Sequence, residues 1–330
     1  MRNILEGYRL FAIDPKKSRS KDFYKNMLEY RSHVMKKFAK AIKKPSEFRC
    51  LLCGNAKGEE FLALGKYKLY ECARCALVSP NIDFALADEH ELYGDHANSK
   101  DVVREIVETY DYRKRVHAPE RLAYLLEKTG LKKKDLNVLD VGCGPGYFLS
   151  YLKDQKIKNK GLELTEFLVD ICRKRGLNVE GTMLGAEKPS TYNALTLFDV
   201  LEHITDPISF FTDTNRALKK GGYVLAYVPH IHSLGYALMG SRHNTLAPFQ
   251  HTAFFDPKSL AYLAKKTGFV VDSVEYFGLD IMDYFCMKQY DDNFDYLDKL
   301  AEFIPLMQAV VDKQNISNHM RIIFKKVSNV

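Results

Sequence analysis

The stretch Val138-Leu-Asp-Val-Gly-Cys-Gly-Pro-Gly-Tyr147, with Glu163 seventeen residues beyond Gly146, decides the fold. Asn137 to Val141 is a β-branched apolar run and reads as a buried strand, which breaks into glycines at 142, 144 and 146. A helical pattern resumes at Tyr147-Phe-Leu-Ser-Tyr-Leu152. Glycines at alternate positions let the backbone turn tightly and approach a ligand, where a Cβ would collide with it. Glu163 closes the next apolar run, at the place where a carboxylate can accept both hydroxyls of a ribose. Strand, glycine turn, helix, strand, acid is a nucleoside-binding unit.

The spacing narrows the nucleoside. Dinucleotide sites use Gly-x-Gly-x-x-Gly and seat a pyrophosphate on the helix N-terminus. Here the spacing is Gly-x-Gly-x-Gly, and Asp140 precedes it. A carboxylate beside the loop repels a pyrophosphate and favours a cation. S-adenosylmethionine carries a sulfonium and an ammonium and no phosphate. Leu139 to Gly146 resembles motif I of the class I S-adenosylmethionine-dependent methyltransferases. Two later segments are similar to that family in the same order: Phe198-Asp-Val-Leu-Glu-His-Ile-Thr-Asp-Pro207 and Leu218-Lys-Lys-Gly-Gly-Tyr-Val-Leu-Ala-Tyr-Val-Pro229. The resemblance implies S-adenosyl-L-methionine as cofactor, held by Asp140, Gly142, Cys143, Gly144, Gly146, Glu163 and Phe198.

Alternating patterns predict strands near 137–141, 159–163, 177–180, 193–198, 222–228, 268–277 and 319–326. Helices are expected near 115–129, 146–156, 165–175, 207–219 and 257–266. This is an α/β chain, with a Rossmann-like, seven-stranded, mostly parallel sheet covered by helices on both faces. Ligands of such sheets bind outside the carboxyl ends of the strands. A further helical pattern between about 278 and 317 interrupts the approach to the last strand, as a wall for the acceptor site or a dimer surface. The fourth strand opens with Tyr192-Asn193 where the family usually has Phe-Asp, and the segment 180–191 yields no adenine contact.

Cys50-Leu-Leu-Cys53 and Cys72-Ala-Arg-Cys75 stand eighteen residues apart. Two such knuckles place Cys50, Cys53, Cys72 and Cys75 tetrahedrally around Zn²⁺, and four protein ligands leave no open position, so the metal is structural. Phe61 to Tyr70 reads as a hairpin between the knuckles. The module is similar to one found ahead of many bacterial sugar and natural-product methyltransferases, with Ala76 where a glycine is typical. In that family, tyrosines of the following connection cap the pocket, which points to Tyr93.

The organisation expected is a basic helical arm (1–49), a zinc-binding module and linker (50–96), and the methyltransferase domain (97–330) with its helical insert. Fourteen Lys/Arg against five Asp/Glu lie in the first 49 residues, so the net charge of +7 belongs to the arm. Phe23, Met27, Val34, Phe38 and Ile42 recur at helical spacing there, the pattern of a helix packed on the body or on a second subunit. The alternatives are an anionic substrate, nucleic acid or peripheral membrane contact, and no aromatic or glycine interleaving typical of nucleic-acid binding accompanies the charge. Seven cysteines, no apolar run of membrane-spanning length and no signal-peptide core point to the cytoplasm.

Five of the ten histidines (203, 230, 232, 243 and 251) fall at the expected cleft mouth. A hydroxyl acceptor needs a positioned base. His251, in the loop before a helix, is the first candidate and His203, in Leu-Glu-His, the second. His230 and His232 form a weaker metal-ligand pair lacking an evident carboxylate. The resemblance implies a methyltransferase for a small-molecule or glycan acceptor, such as a nucleotide-activated sugar or a surface-polysaccharide unit. An RNA methyltransferase using the arm and zinc module, and a non-catalytic cofactor-binding scaffold, stay open.

Overall fold

The two cysteine knuckles are joined by the hairpin their spacing predicts. In the computed structural model, which describes residues 22–87 and 100–330, β1 (Gly58–Leu64) pairs antiparallel with β2 (Tyr67–Cys72), and β3 (Val78–Pro80) adds a third strand. Gly54 and Ala76 follow the second cysteine of each knuckle with φ of 68° and 61°. Each sends its N–H back to the knuckle's first cysteine, Cys50 or Cys72, at 2.9 Å. The left-handed turn explains why glycine is usual there, and Ala76 keeps the turn with a mild steric cost.

Seven strands form the main sheet: β4 (Asn137–Val141), β5 (Lys158–Leu162), β6 (Val179–Glu180), β7 (Tyr192–Phe198), β8 (Leu218–Pro229), β9 (Phe269–Phe277) and β10 (His319–Lys326). Their spatial order is β6-β5-β4-β7-β8-β10-β9, and β10 alone runs antiparallel to its two neighbours. From β4 the chain steps outward to β5 and β6, then returns to β7 on the other side of β4. That reversal opens a crevice at the carboxyl ends of β4 and β7.

Helices α2 (Lys100–Thr129), α3 (Tyr147–Asp154), α4 (Glu166–Lys174), α5 (Pro207–Ala217) and α7 (Pro257–Lys266) cover the sheet; α1 (Phe23–Lys37), α6 (Leu234–Met239), α8 (Asp280–Asp292), α9 (Tyr296–Lys299) and α10 (Phe303–Lys313) complete the described helices. Asp206 and Asp256 cap α5 and α7 by accepting the N–H of Ser209 and Ser259, and Pro207 and Pro257 occupy the first helical turns. Alternation along the strands splits the core in two. Leu139, Leu195, Leu197 and Ala226 pack with Phe211, Leu260 and Phe324 on one face, while Val138, Ala194 and Leu225 pack with Leu122, Leu125 and Phe148 on the other. Phe48, Leu52, Tyr70 and Leu77 of the cysteine module belong to the first cluster. Val78 and Phe254 also exchange backbone hydrogen bonds at 3.1 and 2.9 Å.

Two readings change, and the described part of the arm takes the packed place its spacing predicts. The helix expected at 115–129 begins at Lys100, fifteen residues earlier, and the unread signal was Val103, Ile106, Val107 and Tyr110 at helical spacing. The loop expected before the helix that follows His251 is preceded by α6 and a 3₁₀ turn, Gly240–Arg242. The described part of the basic arm is docked on the body: Tyr24, Val34 and Phe38 are buried, and the Arg31 guanidinium donates to the carbonyls of Ser241 (2.6 Å) and His243 (2.8 Å). Tyr192-Asn193 has its own structural use. The Asn193 side chain accepts the Asn137 N–H at 2.8 Å and donates to the Asp135 carbonyl, tying β7 to β4. No helix among the described residues is long and apolar enough to cross a membrane.

Candidate functional site

Gly142, Gly144 and Gly146 all have left-handed backbones, with φ of 66°, 54° and 78°. Their reasons differ, which refines the expectation that each makes room for a ligand. A Cβ on Gly142 would lie 2.6 Å from Val200, and one on Gly146 would lie 2.5 Å from Leu177 and 2.8 Å from the Cys172 sulfur. Both glycines serve the packing of the protein on itself. A Cβ on Gly144 would meet nothing within 4 Å, so this glycine faces open space. Cys143 departs further from the expectation. Its side chain is buried among Leu149, Val169, Cys172 and Val179, leaving only its backbone for a cofactor.

Glu163 stands where the sequence places it. One carboxylate oxygen accepts the Gly144 N–H at 2.9 Å and the other accepts the Thr165 N–H at 2.8 Å. These bonds aim the carboxylate across the mouth of the glycine loop and leave further lone pairs for a diol. Leu164, beside Glu163, and Met183, in the turn after β6, are 63% and 68% exposed. Asp140 is buried under the loop and accepts the Thr196 hydroxyl at 2.6 Å. Burial pushes its pKa up to about 7, against the pull of the Thr196 hydrogen bond and the Arg121 charge. Phe198 lies at the end of β7 with its ring edge-on to Phe148 and Tyr227, and the Arg121 guanidinium sits 3.9 Å from its centroid.

Beyond the ends of β7 and β8 lies a cavity of about 800 Å³. Tyr112, Glu120, Arg121 and Tyr124 of α2 form one wall, Tyr276 and Phe277 of β9 another, and Asp199, Glu202 and His251 stand at the end of β7. Leu279, Asp312 and Asn315 of the insert close a further side, so the insert walls the cavity. Arg321 of β10 reaches Glu120 and donates to Glu275 at 2.9 Å, which fixes a charged floor. Arg121 is nearly fully buried, bonded to the Tyr147 hydroxyl and surrounded by the rings of Tyr147, Phe198 and Tyr227. It went unread in the sequence. The available signal was an arginine in line with Ala118, Leu122 and Leu125 on the inward stripe of a helix, where a solvated cation has no place.

His203 and His251 meet edge to face, with ring centroids 4.7 Å apart. His203 Nδ1 lies 3.0 Å from the Gln250 carbonyl and His251 Nδ1 lies 2.7 Å from the Thr245 carbonyl. A carbonyl only accepts, so each Nδ1 carries the proton. Burial lowers the His203 pKa to about 4 and holds His251 well below the ordinary range, so both rings are neutral at physiological pH. Glu202, also missed, is 1% exposed, and neither of its carboxylate oxygens has a hydrogen-bond partner among the described residues.

The remaining histidines take other roles. His230 is buried and bonded to the Ser317 carbonyl, 6.0 Å from the His232 ring, and His232 instead faces Glu71 at 3.7 Å. His243 is stacked on Tyr236 at 4.1 Å. Among the described residues, two groups have ligand atoms close enough to share a metal: Cys50, Cys53, Cys72 and Cys75, and Glu202, His203 and His251. In the first, Cys50 and Cys75 sulfurs lie 3.5 Å apart, as do Cys53 and Cys72. A tetrahedron with bonds of 2.3 Å needs sulfurs about 3.8 Å apart, so the four thiols stand almost where a zinc ion would hold them. Tyr93 lies outside the described residues.

With this geometry in view, the relatives are informative. A family model described as a methyltransferase domain matches residues 110–274. A ubiquinone biosynthesis O-methyltransferase of Aliivibrio fischeri (strain MJ11) is 31% identical over 166 residues, covering 45% of this chain and 70% of the relative. One of Nitrosomonas europaea is 28% identical over 174 residues, covering 47% and 72%. A solved S-adenosylmethionine-dependent methyltransferase from Archaeoglobus fulgidus is 20% identical, with a TM-score of 0.46 over 72% of this chain and 100% of that one. The matched family span is half of the chain and contains the glycine loop, Glu163 and the Leu-Glu-His turn. The chain belongs to the methyltransferase-domain family and is an S-adenosylmethionine-dependent methyltransferase.

Proposed function

We propose that this enzyme methylates a hydroxyl oxygen of a small-molecule acceptor bound in the cavity beyond β7 and β8. The observation that carries the reading is the cavity itself, which at about 800 Å³ suits a ligand of nucleotide-sugar size and ends on Glu202 and His251. The relatives, by name, are O-methyltransferases. A nucleotide-activated sugar or surface-polysaccharide unit is the acceptor class implied by the cysteine module's resemblance. A phenolic acceptor is the second reading. It is supported by the rings of Tyr112, Tyr124, Tyr227 and Phe277 along the cavity and by relatives named for ubiquinone biosynthesis. An RNA acceptor has less support, since the described part of the basic helix turns Arg31 inward against the body.

In this reading the sulfonium end of S-adenosylmethionine lies between the glycine loop and β7, with Glu163 on the ribose hydroxyls and Asp140 beneath the cationic end. Leu164 and Met183, exposed apolar side chains on either side of Glu163, flank the adenine. Cys50, Cys53, Cys72 and Cys75 hold a structural zinc, which suits a reducing, cytoplasmic setting. Residues 1–49, 50–96 and 97–330 act as arm, module and catalytic domain. Methyl transfer is an in-line displacement, so the chain's task is to hold acceptor oxygen and methyl collinear and to receive the acceptor's proton. His251 is the first candidate for that proton and His203 the second, each through the Nε2 lone pair that its Nδ1 hydrogen bond leaves.

The test is transfer of labelled methyl to three panels: nucleotide sugars, phenols with adjacent hydroxyls, and RNA with and without nuclease. His251→Ala should lower turnover by about a hundredfold or more with little change in cofactor affinity. Transfer to none of the hydroxyl panels, or nuclease-sensitive transfer alone, overturns the reading.

A further inference from the structure

Glu202, His203 and His251 come from two segments that the backbone clamps together. Glu202 and His203 lie in the 3₁₀ turn Leu201–His203 after β7, and His251 lies in the loop before α7. The Thr252 and Ala253 N–H groups donate to the Glu202 carbonyl at 2.8 and 3.0 Å, which fixes one segment against the other. The ligand atoms of the three side chains all lie within 4.8 Å of one another.

Three features of the cluster are those of a metal site. Each imidazole commits Nδ1 to a backbone carbonyl, at 3.0 Å for His203 and 2.7 Å for His251. This outer-shell bond fixes the tautomer of metal-bound histidines and leaves Nε2 with its lone pair. Glu202 is a buried carboxyl whose two oxygens have no hydrogen-bond partner among the described residues, a placement that is unfavourable unless a cation or a proton joins it. No ion pair to Lys or Arg is formed by Glu202 among the described residues. The cluster also opens on the acceptor cavity, which Glu202 and His251 line. Two imidazoles and one carboxylate are three ligands, and the remaining coordination positions face the cavity.

We infer that Glu202, His203 and His251 bind a divalent cation of the zinc and first-row transition-metal class, with its open positions turned to the acceptor. Two nitrogen donors exclude the all-oxygen preference of Ca²⁺ and Mg²⁺. The site is distinct in chemistry from the cysteine cluster, which offers four sulfurs and no open position. A cation here takes the Nε2 lone pairs that the proton-accepting role proposed above needs, so the two roles exclude one another and the experiment separates them.

The full chain is loaded with Co²⁺ in place of Zn²⁺ and titrated optically. The thiolate cluster gives sulfur-to-metal charge-transfer bands, whereas a nitrogen–oxygen site gives only weak d–d bands. The expected result is two ions per chain, the second without charge-transfer intensity and lost in both Glu202→Gln and His251→Ala while the first is kept. S-adenosylmethionine binding by calorimetry checks that the variants fold. Should they not fold, anomalous scattering at the zinc edge from wild-type crystals decides, with a second peak between Glu202, His203 and His251 expected. One ion per chain, all of it at the thiolates, overturns the inference. If that result comes together with loss of methyl transfer in His251→Ala, the proton-accepting role stands and the metal site alone falls.

Discussion

Replacing Glu163 tests the cofactor site most directly, because its surroundings allow the loss to be separated from unfolding. The carboxylate accepts the Gly144 N–H at 2.9 Å and the Thr165 N–H at 2.8 Å, so it is already aimed before any ligand arrives. A hydrogen bond to a charged group contributes about 1.5–3 kcal/mol, and two ribose hydroxyls on one carboxylate would therefore contribute roughly 3 kcal/mol or more. Glu163→Ala should weaken S-adenosylmethionine binding about a hundredfold, at about 1.4 kcal/mol per factor of ten. The two orphaned N–H groups border the cleft and can be taken up by water, so the fall in stability should be about 1 kcal/mol. Glu163→Gln should not rescue affinity. Its single oxygen can satisfy only one of the two N–H donors, and its NH₂ opposes the other. Calorimetry with S-adenosylmethionine and with S-adenosylhomocysteine should show matching losses, since the ribose is common to both. Unchanged affinity in both variants, or a loss confined to the methylated ligand, would refute the assignment.

Four further outcomes are expected. The buried Asp140, with its pKa pushed up to about 7, is largely protonated at pH 6, and a cationic ligand favours its ionised form, so binding releases a proton. Affinity for S-adenosylmethionine should thus rise between pH 6 and 8, and the rise should vanish in Asp140→Asn. Metal analysis of protein purified without chelators should find zinc at Cys50, Cys53, Cys72 and Cys75, and Cys75→Ser should lower the melting temperature far more than it changes cofactor affinity; zinc-free folded protein would sink the module. Gly146→Ala places a Cβ 2.5 Å from Leu177 and should destabilise by about 1–3 kcal/mol in thermal melts. Gly144→Ala, with open space around the new Cβ, should spare packing, cost about 1 kcal/mol for its left-handed backbone, and act chiefly on calorimetric cofactor affinity.

What the sequence reveals here follows from how far apart the interacting residues lie along the chain. The strands were legible because burial on both faces writes a mostly apolar run, as in Val138–Val141 and Ala194–Leu197, interrupted by Asp140 and Thr196, which bond each other. The glycine loop and Glu163 were legible because one β-turn-helix-β unit carries them within 26 residues of Val138. The cysteine knuckles were legible because both ends of each turn are local: Cys50 and Cys72 take back the N–H groups of Gly54 and Ala76. The start of α2 was legible in the same way and was missed, since Val103, Ile106, Val107 and Tyr110 recur there at helical spacing.

The cavity was the least legible part, because it is assembled from segments with nothing periodic in common. Glu120 and Arg321 meet 201 residues apart, and Arg121 is buried by rings from three separate segments. The Leu-Glu-His turn shows the same limit within a single motif. His203 stood out as a histidine at a strand end, while Glu202 beside it was given no role. Only the fold shows that its carboxyl is buried beside His203 and His251 at the cavity's edge, with the Thr252 and Ala253 N–H groups holding the two segments together. An acid that local sequence would leave in water, and that the fold instead buries beside two imidazoles without a hydrogen-bond partner, is retained against its desolvation cost. That cost is the physical reason to place chemistry at this turn rather than at His230, whose single hydrogen bond to Ser317 accounts for its burial.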